Sequence, residues 1–289
     1  GNAITGLGYV VTPVPLHPPL SLVRETLEGL RGSLVFNLFE GFAGCPETEA
    51  VVADLLAELG LPFTGCPGPA LALALDKPRA KAALQAAGIN TPHYQLLSPA
   101  NLATFHLSYP CIVKPCAEDA SHGLSEESVV YDDASLARQV SRISQLFGGR
   151  ALVEEFLEGR EFNATVLGHR ELTVLPISEI VYALPPGKPK LLTFASKWET
   201  EHPYFSATKV ACPAPVEPWE REEVAATAMA AFRILGCRGY ARVDMRLDRE
   251  GRLNVIEVNP NPDISPDSGA IRQAQAAGMS YTEFIAKIV

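Results

Sequence analysis

The chain has 289 residues, 47% hydrophobic and 20% charged, and a net charge of -9 at pH 7. That length holds two or three small domains with cores of their own, and the composition is that of an ordinary globular protein. The acidic balance argues against a nucleic-acid partner, because no basic stripe is available to displace counterions from a phosphate backbone.

No long apolar run occurs and the N-terminus carries no charged-then-apolar signal pattern, so a cytoplasmic location with no membrane partner is expected. Six cysteines, at 45, 66, 111, 116, 212 and 237, show neither CxxC spacing nor a His at metal-site spacing, which predicts reduced thiols. The first residues read as the end of a helix, followed by strands expected over residues 9–14 and 33–39. Pro46 opens a helix that runs to Leu59 and stops at Gly60, and residues 61–65 form a short strand and turn. Strand, helix and strand in this order predict a parallel α/β unit to about residue 75. An α/β domain ordinarily opens on a strand, so this unit is expected to lack its first one. The edges left open would be covered by a neighbouring chain or a partner, and a homodimer through this region is one such arrangement.

Asp76 caps a helix over 77–87, with Pro78 in its first turn and Gly88 ending it. Lys77 at a helix start is unfavourable unless an anion binds there, although alone it also fits a surface lysine. The segment CIVKP, 111–115, is a buried-looking strand whose Lys114 needs a partner. The small polar loop 118–125 and a returning strand at 129–131 make a flap whose amides could fold over phosphates, although ordinary turns use the same residues. Cys116 follows Lys114 closely, but no base is visible near it.

A helix over 134–147 places Leu136, Val140, Ile143 and Phe147 on one side, and strands follow at 151–156 and 161–167. Glu154, Glu155, Phe156 and Leu157 could line an apolar slot with a polar rim, and Glu161 could bond a diol; surface salt bridges are the alternative. Residues 184–215 form a long connection with Lys197, Trp198 and Lys209, the length of a lid. A helix over 217–235 ends at Gly236, a helix begins at Asp267 or Ser268, and residues 281–288 close the chain.

The segment GYARVDMRLDREGRLNVIEVNPNP, from Gly239, reads as a β-hairpin with its turn near Glu250 and Gly251. A register pairing Asp248 with Leu253 sets Asp244 opposite Glu257 and Arg242 opposite Asn259, all on one face. Two facing carboxylates repel unless a divalent cation sits between them, and these oxygens suit Mg2+ or Mn2+. An exposed polar face on an edge hairpin is the alternative, and the apolar surroundings of Glu257 argue against it.

The words LALALDKPRAKAALQAAGINTP, YPCIVKP, ALVEEFLEGREF, LGCRGYARVDMRLDREGRLNVIEVNPNP and AAGMSY occur in an order and spacing that resemble the ATP-grasp superfamily, and most closely the D-alanine:D-alanine ligase family. The resemblance implies α/β and α+β architecture in three parts: an α/β domain over 1–75, a central α+β subdomain over 76–158 and a C-terminal antiparallel-sheet subdomain over 159–289. It implies a carboxylate-amine ligase acting through an acyl phosphate on small amino-acid or amine substrates, with ATP and two Mg2+ or Mn2+ ions. Matched by position, Lys77 and Lys114 contact phosphates under a loop around Ser121. Glu154, Phe156 and Leu157 surround adenine, Glu161 meets the ribose and Lys197 reaches the γ-phosphate. Asp244, Glu257 and Asn259 hold the metals, and Arg242 steadies the transferred phosphoryl group.

The substrate end departs from the family. Its His-Gly word is Glu40-Gly41 here, its GSSxG loop keeps only Ser121 and Gly123, and Trp198 replaces a tyrosine. Asp263 stands where the family's NxxPG turn has glycine, and Ser268 follows as a further substrate-site candidate. A substrate other than D-alanine, cationic or rich in amines, suits Glu40 and Asp263. A genuine D-alanine:D-alanine ligase and a nucleotide-binding domain without turnover are the competing expectations.

Overall fold

The computed structural model describes residues 1–118, 123–193 and 201–289. Helices α1 (Asn2–Gly6), α2 (Leu20–Glu28), α3 (Thr48–Glu58) and α4 (Gly68–Leu75) build the N-terminal part. The strands expected over 9–14 and 33–39 do not form. What remains is one parallel bridge, Val35 to Phe63, made by Val35 N–H to the Pro62 carbonyl at 2.8 Å and Thr64 N–H to the Val35 carbonyl at 3.0 Å. Proline explains both outcomes: Pro13, Pro15 and Pro62 have no N–H to extend a ladder. Val23, Leu27, Val52 and Leu56 form this part's core.

Helix α5 (Lys77–Ala86) starts where expected, the Asp76 carboxylate accepting from Arg79 N–H at 3.1 Å. A four-stranded antiparallel sheet follows, in the order β1 (Tyr94–Leu97), β4 (Ala151–Glu155), β2 (Cys111–Pro115), β3 (Val129–Val130). Helix α6 (Asp133–Phe147) covers one face with Leu136, Val140 and Ile143, its start fixed by a capping box between Asp132 and Ser135.

The second sheet has six strands in the order β10 (Leu253–Pro260), β9 (Gly239–Leu247), β5 (Glu161–Gly168), β7 (Ser178–Tyr182), β8 (Thr208–Ala211), with β6 (Leu172–Val174) beside β5. The expected long lid thus carries structure at its end: α7 (Pro203–Ala207) leads into β8. On the inner face Phe162, Ala164 and Val166 of β5 and Ala241, Val243 and Met245 of β9 alternate with period 2 and pack on Val224, Ala228 and Phe232 of α8 (Pro218–Ile234). Each such large side chain withdrawn from water stabilises by about 1.5–3 kcal/mol. The outer face is therefore free to be polar. Helices α9 (Gly269–Ala276) and α10 (Tyr281–Ile288) close the chain against Tyr240 and Leu167.

The hairpin corrects one detail of the expected register. Leu253 pairs with Leu247 rather than Asp248, and Val255 with Met245, yet Glu257 pairs with Asp244 and Asn259 with Arg242. A bulge at Ile256 absorbs the difference. The cause is burial: Leu253, Val255 and Val258 all join the core, and with side chains alternating, a spacing of three puts Val255 and Val258 on one face only if a residue is inserted between them. The bulge sends the intervening Glu257 to the polar face.

Candidate active site

The polar faces of the two sheets and the start of α5 bring most of the expected residues together in two charge clusters. In the first, Asp244 accepts from Arg242 Nε at 2.7 Å and Nη2 at 2.8 Å, from Asn259 Nδ2 at 3.0 Å and from Asn163 Nδ2 at 2.7 Å. Burial would lower the Arg242 guanidinium, and Asp244 more than reverses this, holding it above its ordinary value. Glu257 pairs with Lys77 Nζ at 2.6 Å, and the same ammonium donates to the Glu118 carbonyl at 2.7 Å. Lys77 thus joins α5, the loop after β2 and the hairpin.

The second cluster lies inside the four-stranded sheet. Glu154 bonds Lys81 at 2.7 Å and Lys114 at 2.5 Å, with all three side chains mostly buried. Burial would raise the Glu154 carboxyl, but the two ammonium groups outweigh it and hold it down at about 2. Lys81, itself pushed down by burial and held up by Glu154, also donates to Thr91 Oγ1. Lys114 has the partner its strand demanded, and that partner is the residue expected beside adenine. Sequence reading missed Lys81; its place one turn after Lys77, on the helix face turned to the sheet, was the available signal.

Phe156 is buried with Ile112, Val129 and Leu191 where the two sheets meet. Arg246, also missed, lies over the Phe156 ring at 5.3 Å and the Tyr182 ring at 5.7 Å, with Glu161 at 3.4 Å. Tyr182 donates to Glu161 at 2.8 Å. Leu157 points elsewhere, into a cleft shared with His93, Asp248 and Asn254. Ser121, Lys197 and Trp198 lie outside the described residues.

Glu40 and Asp263 both line a cavity of about 520 Å³ at the far end of the hairpin. Asp263 accepts from Ser265 N–H at 2.7 Å and Oγ at 2.8 Å. Ser268 caps α9, accepting from Ile271 N–H at 3.4 Å. Between Asn259 and Asp263, Asn261 adopts φ +49°, accepts from Cys66 N–H at 2.7 Å and donates to Glu49 at 3.3 Å. This ties the N-terminal part to the turn after the metal-site candidate. All six cysteines are free thiols. Burial raises Cys116, whose Sγ donates to the Arg150 carbonyl at 3.1 Å, the opposite of what an activated thiol needs.

Residues 83–289 match the family described as D-ala D-ala ligase C-terminus. The chain belongs to the D-alanine–D-alanine ligase family. Among its relatives, the uncharacterized protein y4sG of Sinorhizobium fredii is 34% identical over 278 residues, covering 96% of this chain and 78% of that protein. D-alanine–D-alanine ligase of Desulforudis audaxviator is 33% identical over 294 residues, covering 99% and 89%. Two solved structures share the fold. D-alanine–D-alanine ligase from Bacillus anthracis complexed with ATP has a TM-score of 0.77 at 23% identity, over 100% of this chain and 88% of that one. VanG D-Ala:D-Ser ligase from Enterococcus faecalis has 0.73 at 24%, over 90% and 72%. The fold is therefore ATP-grasp, and the family member is an ATP-dependent ligase. No helix among the described residues is long and apolar enough to cross a membrane.

Proposed function

We propose that this chain joins a carboxylate to an amine at the expense of ATP, with a substrate other than D-alanine. The observation that carries the reading is the outer face of the β9–β10 hairpin, where Arg242 and Asn259 bond Asp244 and the Glu257–Lys77 pair stands opposite Asp244 in the ladder. The donor set fits Mg2+ or Mn2+. Asp244 and Glu257 supply hard carboxylate oxygens, and Asn259, whose Nδ2 already donates to Asp244, keeps its carbonyl oxygen for a cation. Among the described residues no third His, Cys, Asp or Glu completes a cage, as expected where phosphate oxygens supply the remaining ligands. Bound there, one or two such ions would neutralise charge between the phosphates of ATP.

The rest of the chemistry belongs to the chain. Lys77 exchanges Glu257 for a phosphate, and Lys114 reaches phosphate from the edge of its pair with Glu154. Phe156, Glu161 and Arg246 surround the base and ribose. Arg242, fixed by Asp244, steadies the phosphoryl group as the substrate carboxylate attacks it, and the tetrahedral centre as the amine displaces phosphate. Phosphoryl transfer is mostly positioning and charge neutralisation, so no protein nucleophile is needed. Lys197 and the loop holding Ser121 complete the enclosure, and Trp198 shapes the substrate side. A homodimer through the N-terminal part belongs to the same proposal, and a monomer in sedimentation at micromolar concentration would refute it.

The second reading, a D-alanine:D-alanine ligase, is favoured by the relative of that name at 33% identity. Phosphate release from Mg-ATP across D- and L-amino acids, dipeptides and polyamines, with product mass, separates the two. Release with D-alanine alone, yielding the dipeptide, supports the second reading; release with another pair supports the first. Tight Mg-ATP binding without release from any pair points to a domain that binds nucleotide without turnover.

A further inference from the structure

Strand β5 changes neighbours halfway along. In its ladder with β7 the last pair is Asn163 and Ser178, and its ladder with β6 begins only at Val166 and Val174. Between the two, Thr165 C=O accepts from Leu175 N–H at 2.9 Å, which leaves Thr165 N–H to be met from elsewhere. A buried main-chain donor without a partner is costly. Gln273, on α9 and 0% exposed, meets it: Oε1 accepts from Thr165 N–H at 3.0 Å, while Nε2 donates to Asn163 C=O at 2.8 Å and to Ser178 Oγ at 3.0 Å. A side-chain amide carries the same donor and acceptor types as a peptide unit, so Gln273 continues the ladder where β7 leaves it.

The strand held in this way carries Asn163 directly opposite Asp244. Asn163 Nδ2 donates to Asp244 Oδ1 at 2.7 Å; Arg242 Nε holds the same oxygen, and Arg242 Nη2 and Asn259 Nδ2 hold Oδ2. Asp244 is thus gripped from its own strand, from β10 and from β5, and its carboxylate cannot rotate without breaking bonds to all three. Hydrogen bonds to a ligating carboxylate fix the direction in which its oxygens meet a metal.

We infer that Asn163 and Gln273 are positioning residues for the divalent cation: Asn163 orients the Asp244 carboxylate, and Gln273 holds Asn163 in line. Both act through Asp244, and so this rests on reading Asp244 as a metal ligand.

Mn2+ is the probe, because its electron paramagnetic resonance signal separates free from bound ion without turnover. Titrated into the full chain with ADP, Mn2+ should bind Asn163→Leu about ten- to hundredfold more weakly than the parent. ADP affinity in EDTA and the urea midpoint should stay near the parent values, since the pairing of Arg242 with Asp244 remains. Gln273→Met, similar in length but without the amide, should weaken Mn2+ binding by a smaller factor and lower the urea midpoint as well. Asn163→Leu leaves the main-chain bonds in place, so it decides the matter if Gln273→Met does not fold. Asp244→Asn is the reference. If it weakens Mn2+ binding while Asn163→Leu binds as the parent does, or tighter, the positioning role falls and the metal reading stands. An equal loss of Mn2+ and of cation-free ADP in Asn163→Leu would reduce Asn163 to a structural part and overturn the role too. A folded Gln273→Met with parent-like Mn2+ affinity would overturn the part assigned to Gln273. If the parent binds no Mn2+ with ADP, or Asp244→Asn binds it equally well, the metal reading falls and the positioning role with it.

Discussion

Glu154 and Asp244 sit on neighbouring sheets, the first bonded by two lysines and the second by one arginine and two asparagine amides, and they differ in access. The side chains of Glu154 and Lys81 are 2% and 3% exposed, whereas those of Arg242, Asp244, Lys77 and Glu257 are 25%, 14%, 14% and 28% exposed, and Lys114, at 11%, stands at the edge of the sealed pair. Charges sealed from water cannot change partners, because an unpaired buried ion costs several kcal/mol. Charges at the rim of a cleft can exchange a lysine for a cation, or a carboxylate for a phosphate, at little cost. The Glu154–Lys81 pair is thus suited to holding the fold, and the group around Asp244 and Glu257 to handling the ligand.

The sharpest way to break this contrast is to neutralise one carboxylate in each. Glu154→Gln should cost about 3–5 kcal/mol in urea unfolding, since Lys81 and Lys114 would be left without their counterion and the buried Lys81 would have to give up its proton or stay charged and unpaired. Asp244→Asn should move the urea midpoint little and lower the rate of phosphate release by on the order of 10²–10³-fold. Equal stability losses in the two variants would erase the distinction.

Acid tests the same point with a smaller effect. The folded-state value of Glu154, about 2, lies below its ordinary 4.5, so its contribution is complete above the ordinary value and is lost as pH falls from there through about 2. That contribution is on the order of 3 kcal/mol. The stability gap between the parent and Glu154→Gln should therefore hold from pH 7 to 5 and narrow toward pH 2. A gap independent of pH would mean that the loss comes from packing alone.

Gly65→Ala probes the link between the N-terminal part and the turn after Asn259. Gly65 has φ +89°, and an added Cβ would lie 2.5 Å from Asn261 Oδ1. A loss of about 1–3 kcal/mol is expected, with weakened ligand binding as Asn261 gives way. At the small end, Arg24→Ala removes an exposed pair with Glu58 and should leave the urea midpoint unchanged within error.

The polar face of the hairpin was legible because strand side chains repeat every second residue, which sets Arg242 with Asp244 and Glu257 with Asn259. The turn end was not, because the expected pairing of Asp248 with Leu253 ignored the core demand of Val255 and Val258, a spacing of three that itself marks the bulge. The helix start at Asp76 was readable from local capping chemistry. The seat of Glu154 was not, since Lys81 belongs to a helix distant in the chain and only the packing of α5 on the sheet brings it close. At residues 9–14 and 33–39 apolar content suggested strands, while the prolines that deny a ladder its N–H groups were in plain view.

The inserted residue at Ile256 also acts as a clutch between the two ends of the hairpin. In an unbroken ladder, lengthening the loop by one residue would turn Glu257 and Asn259 away from Asp244. Here the misalignment already has a place to be taken up, so the tip at 248–252 can be rebuilt, tagged or labelled while the far end keeps its facing residues.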